Sequence, residues 1–175
     1  MRKLLAAAAL VPLLLACVPL GASAVPLSPE QRALGPDQRA LVAESCDRVM
    51  GLSGGGIYRQ ACMDSLARSV TRKTEAAQMA GSYVACRGQG LHDGTAALST
   101  CMLDSQARGA AMAAEPVKIA YDADTPENSM SYFNVNNSAH WRREKYACAQ
   151  IGLTPGTNAF AECTAGLEAA LMNPL

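Results

Sequence analysis

Cys148-Ala-Gln-Ile-Gly152-Leu153-Thr154-Pro155-Gly156-Thr157-Asn-Ala-Phe160-Ala-Glu-Cys163 decides the fold, because an earlier stretch repeats it. Cys86-Arg-Gly-Gln-Gly90-Leu91-His92-Asp93-Gly94-Thr95-Ala-Ala-Leu98-Ser-Thr-Cys101 shares the pattern C-x3-G-L-x2-G-T-x-A-[LF]-x2-C. A looser copy runs from Cys46 through Gly51-Leu52-Ser53-Gly54-Gly55-Gly56 and Tyr58 to Cys62, one residue longer. Three copies with glycines in register mark an internal repeat. The copies start 40 and then 62 residues apart, so the chain is not an even solenoid.

Each copy reads as helix, short loop, helix. Gly90 and Gly152 suit the left-handed residue that closes a helix. Asp93-Gly94 and Pro155-Gly156 are turn dipeptides, and Thr95 and Thr157 suit the N-cap of the helix that follows. In the third copy Phe160, Cys163, Leu167 and Leu171 fall on one helical face. Cys148 lies 4 residues before Gly152, and Cys163 lies 6 after Thr157. At the helical rise these are about 6 and 9 Å from the loop, near one height on antiparallel neighbours. Six cysteines admit many connectivities, and spacing alone does not choose among them. The repeat favours pairing within each copy: Cys46–Cys62, Cys86–Cys101 and Cys148–Cys163. The expected fold is all-α, with three disulfide-stapled helix-loop-helix hairpins, the third set apart by a long loop. A closed loop of about 15 residues is worth on the order of 3 kcal/mol in the chain-entropy account. Such staples offset a core with two Phe, one Trp and many Ala.

The seventh cysteine belongs to an address. Residues 1–24 carry Arg2 and Lys3, an apolar run from Leu4 to Leu20, and Ala22-Ser23-Ala24, the pattern of a secretory signal peptide. Cleavage there starts the mature chain at Val25. Leu14-Leu15-Ala16-Cys17 also resembles a bacterial lipobox, in which the cysteine is lipidated and becomes the new N-terminus. Either route removes Arg2 and Lys3 and leaves 13 basic against 15 acidic residues. The run is short for a membrane span and is broken by Pro12 and Pro19. A membrane association is expected only through lipidation at Cys17. The expected location is the periplasm or extracellular space, or the outer membrane as a lipoprotein. The neutral charge balance argues against nucleic acid as a partner.

The mature chain divides into a helical region at 25–114 with two hairpins, a loop at 115–137, and the third hairpin at 138–175. Residues 28–34 (SPEQRAL) and 35–41 (GPDQRAL) are a tandem duplicate of helix-start text. Pro36 predicts a frayed first turn, then a helix from about Pro36 to Met50. Residues 57–87 predict either one long helix or two meeting near Lys73. The 115–137 stretch has two prolines, acids and asparagines without helical period. Five of the eight aromatics fall between 121 and 146. The helix expected from Ser138 carries His140, Arg142, Arg143 and Lys145 in its early turns, where positive charge opposes the helix dipole.

Tyr132, Phe133, Trp141, Arg142 and Arg143 form the best candidate for partner contact, since these residue types are common at binding hot spots. The competing account has the aromatics pinning the loop to the helices while the charges face water. No catalytic set stands out, so no enzyme activity is expected. There is no G-x-S-x-G nucleophile elbow, no C-x-x-C, and no Lys-Ser/Thr after Gly54-Gly55-Gly56 to make a phosphate loop. Asp122-x-Asp124 begins like a calcium loop, but Glu127 stands where that loop requires glycine. Neither metal nor cofactor is expected. Asn136-Asn137-Ser138 is a glycosylation sequon, relevant only in a eukaryotic host. Cys62-Met63 and Cys101-Met102 suggest soft ligands for copper, against methionine as a filler of core gaps.

The unit Cys148-x3-Gly152-Leu153-x2-Gly156-Thr157-x-Ala159-Phe160-x2-Cys163 resembles one found in small exported or lipidated proteobacterial proteins of unknown function. The resemblance covers the third copy well, the second fairly and the first loosely. It implies a bacterial envelope protein built of helical hairpins and brings no catalytic residues. The expected role is therefore a non-enzymatic binding or structural module with an envelope protein or ligand as partner. The alternative is a periplasmic copper- or redox-handling protein.

Overall fold

The computed structural model describes residues 26–109 and 131–174. The expected signal peptide, with Cys17, and most of the expected 115–137 loop lie outside the described residues. Everything regular within them is helical. In chain order the elements are α1 (Pro29–Arg32), α2 (Pro36–Glu44), a π-helical turn (Ser45–Val49), α3 (Gly56–Gly88), α4 (Ala96–Gly109), a 3-10 turn (Tyr132–Asn134), α5 (Asn137–Gln150) and α6 (Asn158–Met172). α2 with α3, α3 with α4, and α5 with α6 form the three hairpins. They are bridged by Cys46–Cys62, Cys86–Cys101 and Cys148–Cys163, each with a Cα–Cα distance of 6.0 Å.

The loop chemistry is local. Gly152 adopts φ +84°, which an L side chain resists. Its N–H donates to the Ala149 carbonyl at 2.8 Å while Leu153 N–H reaches the Cys148 carbonyl at 3.2 Å. These two bonds are the Schellman closure of a helix. Thr157 Oγ1 then accepts from Phe160 N–H at 3.3 Å and starts α6. Thr95 Oγ1 does the same for Leu98 N–H in the second hairpin, at 3.2 Å.

The extra residue of the first copy has a definite location. Six positions separate Cys46 from Leu52, against five from Cys148 to Leu153. The helix absorbs the insertion as a π turn: Met50 N–H bonds the Ser45 carbonyl at 3.1 Å, and Leu52 N–H bonds the Cys46 carbonyl at 3.0 Å. The closing Gly-Leu pair and the second cysteine therefore stay in register with the other copies.

The tandem duplicate folds in two ways. Ser28 caps α1 by accepting from Gln31 N–H, and the chain then breaks at Gly35-Pro36. Ser28 Oγ and Gln31 Nε2 both donate to Asp64 Oδ1, at 2.6 and 2.8 Å, which fixes that single turn to α3. In the second copy Gln38 Oε1 instead accepts from Gly35 N–H at 3.1 Å and caps α2.

α3 is one helix rather than two, 33 residues and about 50 Å long. Its N-terminal half buries Cys62, Met63, Leu66, Ala67 and Val70. These meet Val42, Cys46, Met50 and Leu52 from the first hairpin and Cys148, Ile151, Leu153, Phe160, Cys163, Leu167 and Leu171 from the third. The core thus joins hairpins one and three. Beyond Val70 only Ser82 and Cys86 of α3 are buried, and α4 packs on α3, bridged to its distal end by Cys86–Cys101. The second hairpin therefore projects as an arm, with Met79, Val84 and Leu103 exposed.

The described end of the expected 115–137 loop runs from 131 into the start of α5 at Asn137. Residues 132–134 form the 3-10 turn, and Asn136 Oδ1 accepts from Ala139 N–H at 2.9 Å to cap α5.

Candidate functional site

α5 carries most of the side chains singled out in the sequence, and it turns them in opposite directions. Successive helical residues differ by about 100°, so Trp141, Arg142 and Arg143 cannot share one face. Trp141 is 57% exposed and Arg142 is exposed, whereas Arg143 is buried. Arg143 Nη1 donates to the Met50 carbonyl at 3.4 Å, at the end of the α2 segment. Its charge thus lies at the negative end of a neighbouring helix, which relieves the misfit at the start of α5. Lys73 of α3 plays a matching part at the other end: its Nζ would lie 2.5 Å from a Cβ on Gly152, just past the C-terminus of α5.

Tyr132 is also buried, at 1% exposure, and its hydroxyl donates to Glu144 Oε1 at 2.6 Å. His140 stacks on the Tyr132 ring with centroids 4.2 Å apart, and its Nε2 is buried without a hydrogen-bond partner. Burial pushes the Glu144 carboxyl above its usual range; the Tyr132 bond opposes that rise, and Glu168 on α6 adds to it. Burial and the bond to Glu144 push the Tyr132 hydroxyl up as well. The expected five-residue patch is thus divided. Tyr132 and Arg143 tie the entry of the third hairpin to the core, as the pinning account has it for Tyr132 but not for Arg143. Phe133 remains 45% exposed against Tyr58, at 4.5 Å between centroids.

The exposed face of α5 borders a groove that sequence reasoning missed. It holds about 390 Å³ and is lined by Lys145, Pro155, Gly156, Phe160, Ala161 and Thr164. Phe160 supplies a buried apolar floor. Lys145 Nζ lies 3.2 Å from the centroid of the Trp141 ring, a cation–π contact one helical turn apart. The available signal was the i, i+4 spacing of Trp141 and Lys145, but the groove needs the α5–α6 pairing as well.

Among the described residues no group of three or more His, Cys, Asp or Glu side chains could hold a metal ion. The sulfurs of Cys62 and Cys101 are in disulfides. Met63 packs in the core, with Arg59 Nη1 at 3.1 Å from its sulfur. No described helix is long and apolar enough to cross a membrane. No protein-family model matches the chain, and no curated protein or solved structure matches it.

Proposed function

We propose that this chain is an exported, non-enzymatic module of the bacterial cell envelope that binds or scaffolds a partner through rigid helical hairpins. The observation that carries the reading is the set of three disulfides, one within each hairpin. Such bonds form and persist in oxidising compartments. A leader-like segment at 1–24 and the resemblance of the repeat unit to small envelope proteins support the same location. The projecting second hairpin supports a contact role, since a stapled arm with exposed apolar side chains contributes little to the core it leaves.

Fractionation with thiol labelling tests the reading. The protein is expected in the envelope fraction, shortened at its N-terminus, with no thiol that reacts before reduction. A cytosolic, full-length protein with reactive thiols at the six repeat positions would overturn it. The mass of the N-terminal peptide distinguishes a start at Val25 from a lipidated Cys17.

A further inference from the structure

The repeat permits a comparison of the three hairpins position by position. Three residues before the first cysteine stand Ala43, Tyr83 and Lys145. Two residues after the loop leucine stand Gly54, Asp93 and Pro155. In the second hairpin the Tyr83 hydroxyl reaches across the loop and donates to Asp93 Oδ1 at 2.9 Å, and Arg87 Nε lies 3.9 Å from the same oxygen. In the first, Arg59 holds Asp47 through two bonds of 2.6 and 2.9 Å. Each of these hairpins thus has a carboxylate bound by its own donor.

The third hairpin has the donor without the carboxylate. Lys145 occupies the position of Tyr83, and Pro155 replaces Asp93. Lys145 makes no ion pair among the described residues and rests on Trp141. Of the acids on α5 and α6, Glu144 accepts from Tyr132 and Glu162 faces Arg72 of α3 at 3.6 Å. Where the carboxylate would stand there is instead the groove of about 390 Å³, within the range of small-ligand sites. It joins one cation to an apolar floor of Phe160, Pro155 and Ala161.

We propose that this groove binds a carboxylate with an apolar body, whose carboxylate takes on Lys145 the place that Asp93 takes on Tyr83. The apolar body covers Phe160 and Pro155, and the ammonium leaves the Trp141 ring to meet the anion. The carboxylate can come from a free acid or from the C-terminus of a peptide. This inference deepens the reading of the chain as a binding module and rests on it.

Trp141 is the single tryptophan of the chain, so its fluorescence reports on the site directly. The exported, oxidised protein is titrated with phenylacetate, with phenylacetamide as the neutral isostere, and with a short apolar peptide bearing a free or an amidated C-terminus. The expected result is a saturable change with phenylacetate at a Kd on the order of 1 mM, as suits one charged contact and one ring. The amide should bind at least about tenfold more weakly. Lys145→Met should weaken acid binding by a similar factor while leaving amide binding unchanged, and Lys145→Arg should retain acid binding. Tighter binding of the free-ended peptide than of phenylacetate identifies a chain end as the source, and the reverse identifies a free acid. Equal binding of acid and amide, undiminished acid binding by Lys145→Met, or no saturable response to either acid would overturn the inference. Such a failure in protein that is still exported and fully oxidised leaves the module reading standing. Reactive thiols in the native protein would remove that reading itself.

Discussion

At the scale of residues, the Tyr132–Glu144 pair links the segment before the third hairpin to its first helix. Both side chains are buried, so removing the hydroxyl leaves a carboxyl group without its donor. Tyr132→Phe should lower the unfolding free energy by about 1–3 kcal/mol in urea melts, the cost of an unsatisfied buried polar group. Glu144 also sets a pH dependence. Its carboxyl holds a proton more tightly folded than unfolded, because burial raises it. The folded state therefore binds more protons in that window, and this group's contribution to stability falls as pH rises through and above the ordinary carboxylate range. Glu144→Gln keeps an acceptor for Tyr132 and removes the titration. Melts across pH should show the stability of the variant relative to the parent at its lowest in acid and rising with pH. A constant gap would contradict the assignment. Gly152 answers two demands, a positive φ and the close approach of Lys73. Only the first was legible in the sequence, because the second comes from a helix far away in the chain.

At the scale of elements, each hairpin is specified by text that lies within it. In the second and third hairpins the closing glycine, the turn dipeptide and the threonine cap all lie between cysteines 15 residues apart, so their roles can be read from local text. The surplus residue of the first copy was legible, but not that the helix takes it up as a π turn at Ser45–Val49. Which hairpins meet was not legible, because the packing of α3 on α6 depends on non-local burial. The same limit hid the place of Arg143, whose backbone partner at Met50 comes from the first hairpin; Tyr132 meets Glu144 of the helix that follows it. The elements should also differ in stability. Replacing Cys86 and Cys101 by serine should open the distal α3–α4 arm, visible as faster amide exchange confined to it, with the core transition nearly unchanged. Replacing Cys148 and Cys163 should instead lower global stability by about 2–5 kcal/mol, since both lie in the shared core. Equal global losses from the two pairs would mean that the arm is not independent of the core.

At the scale of the whole molecule, a chain with few large side chains is held by association of its first and third hairpins and by three covalent staples. The second hairpin stands outside that core, burying Cys86 and Leu98 while leaving Met79, Val84 and Leu103 exposed. A charged fraction of 17%, low for a soluble domain, fits a molecule whose exposed helical faces carry many alanines. The central claim is that three repeats make three independently closed hairpins. Mass-spectrometric mapping of disulfides in the unreduced protein tests it most directly. The account predicts three linked peptide pairs, Cys46 with Cys62, Cys86 with Cys101 and Cys148 with Cys163, and no free thiol among the six. Any bond between cysteines of different repeats, or a free thiol at one of these positions, would contradict it.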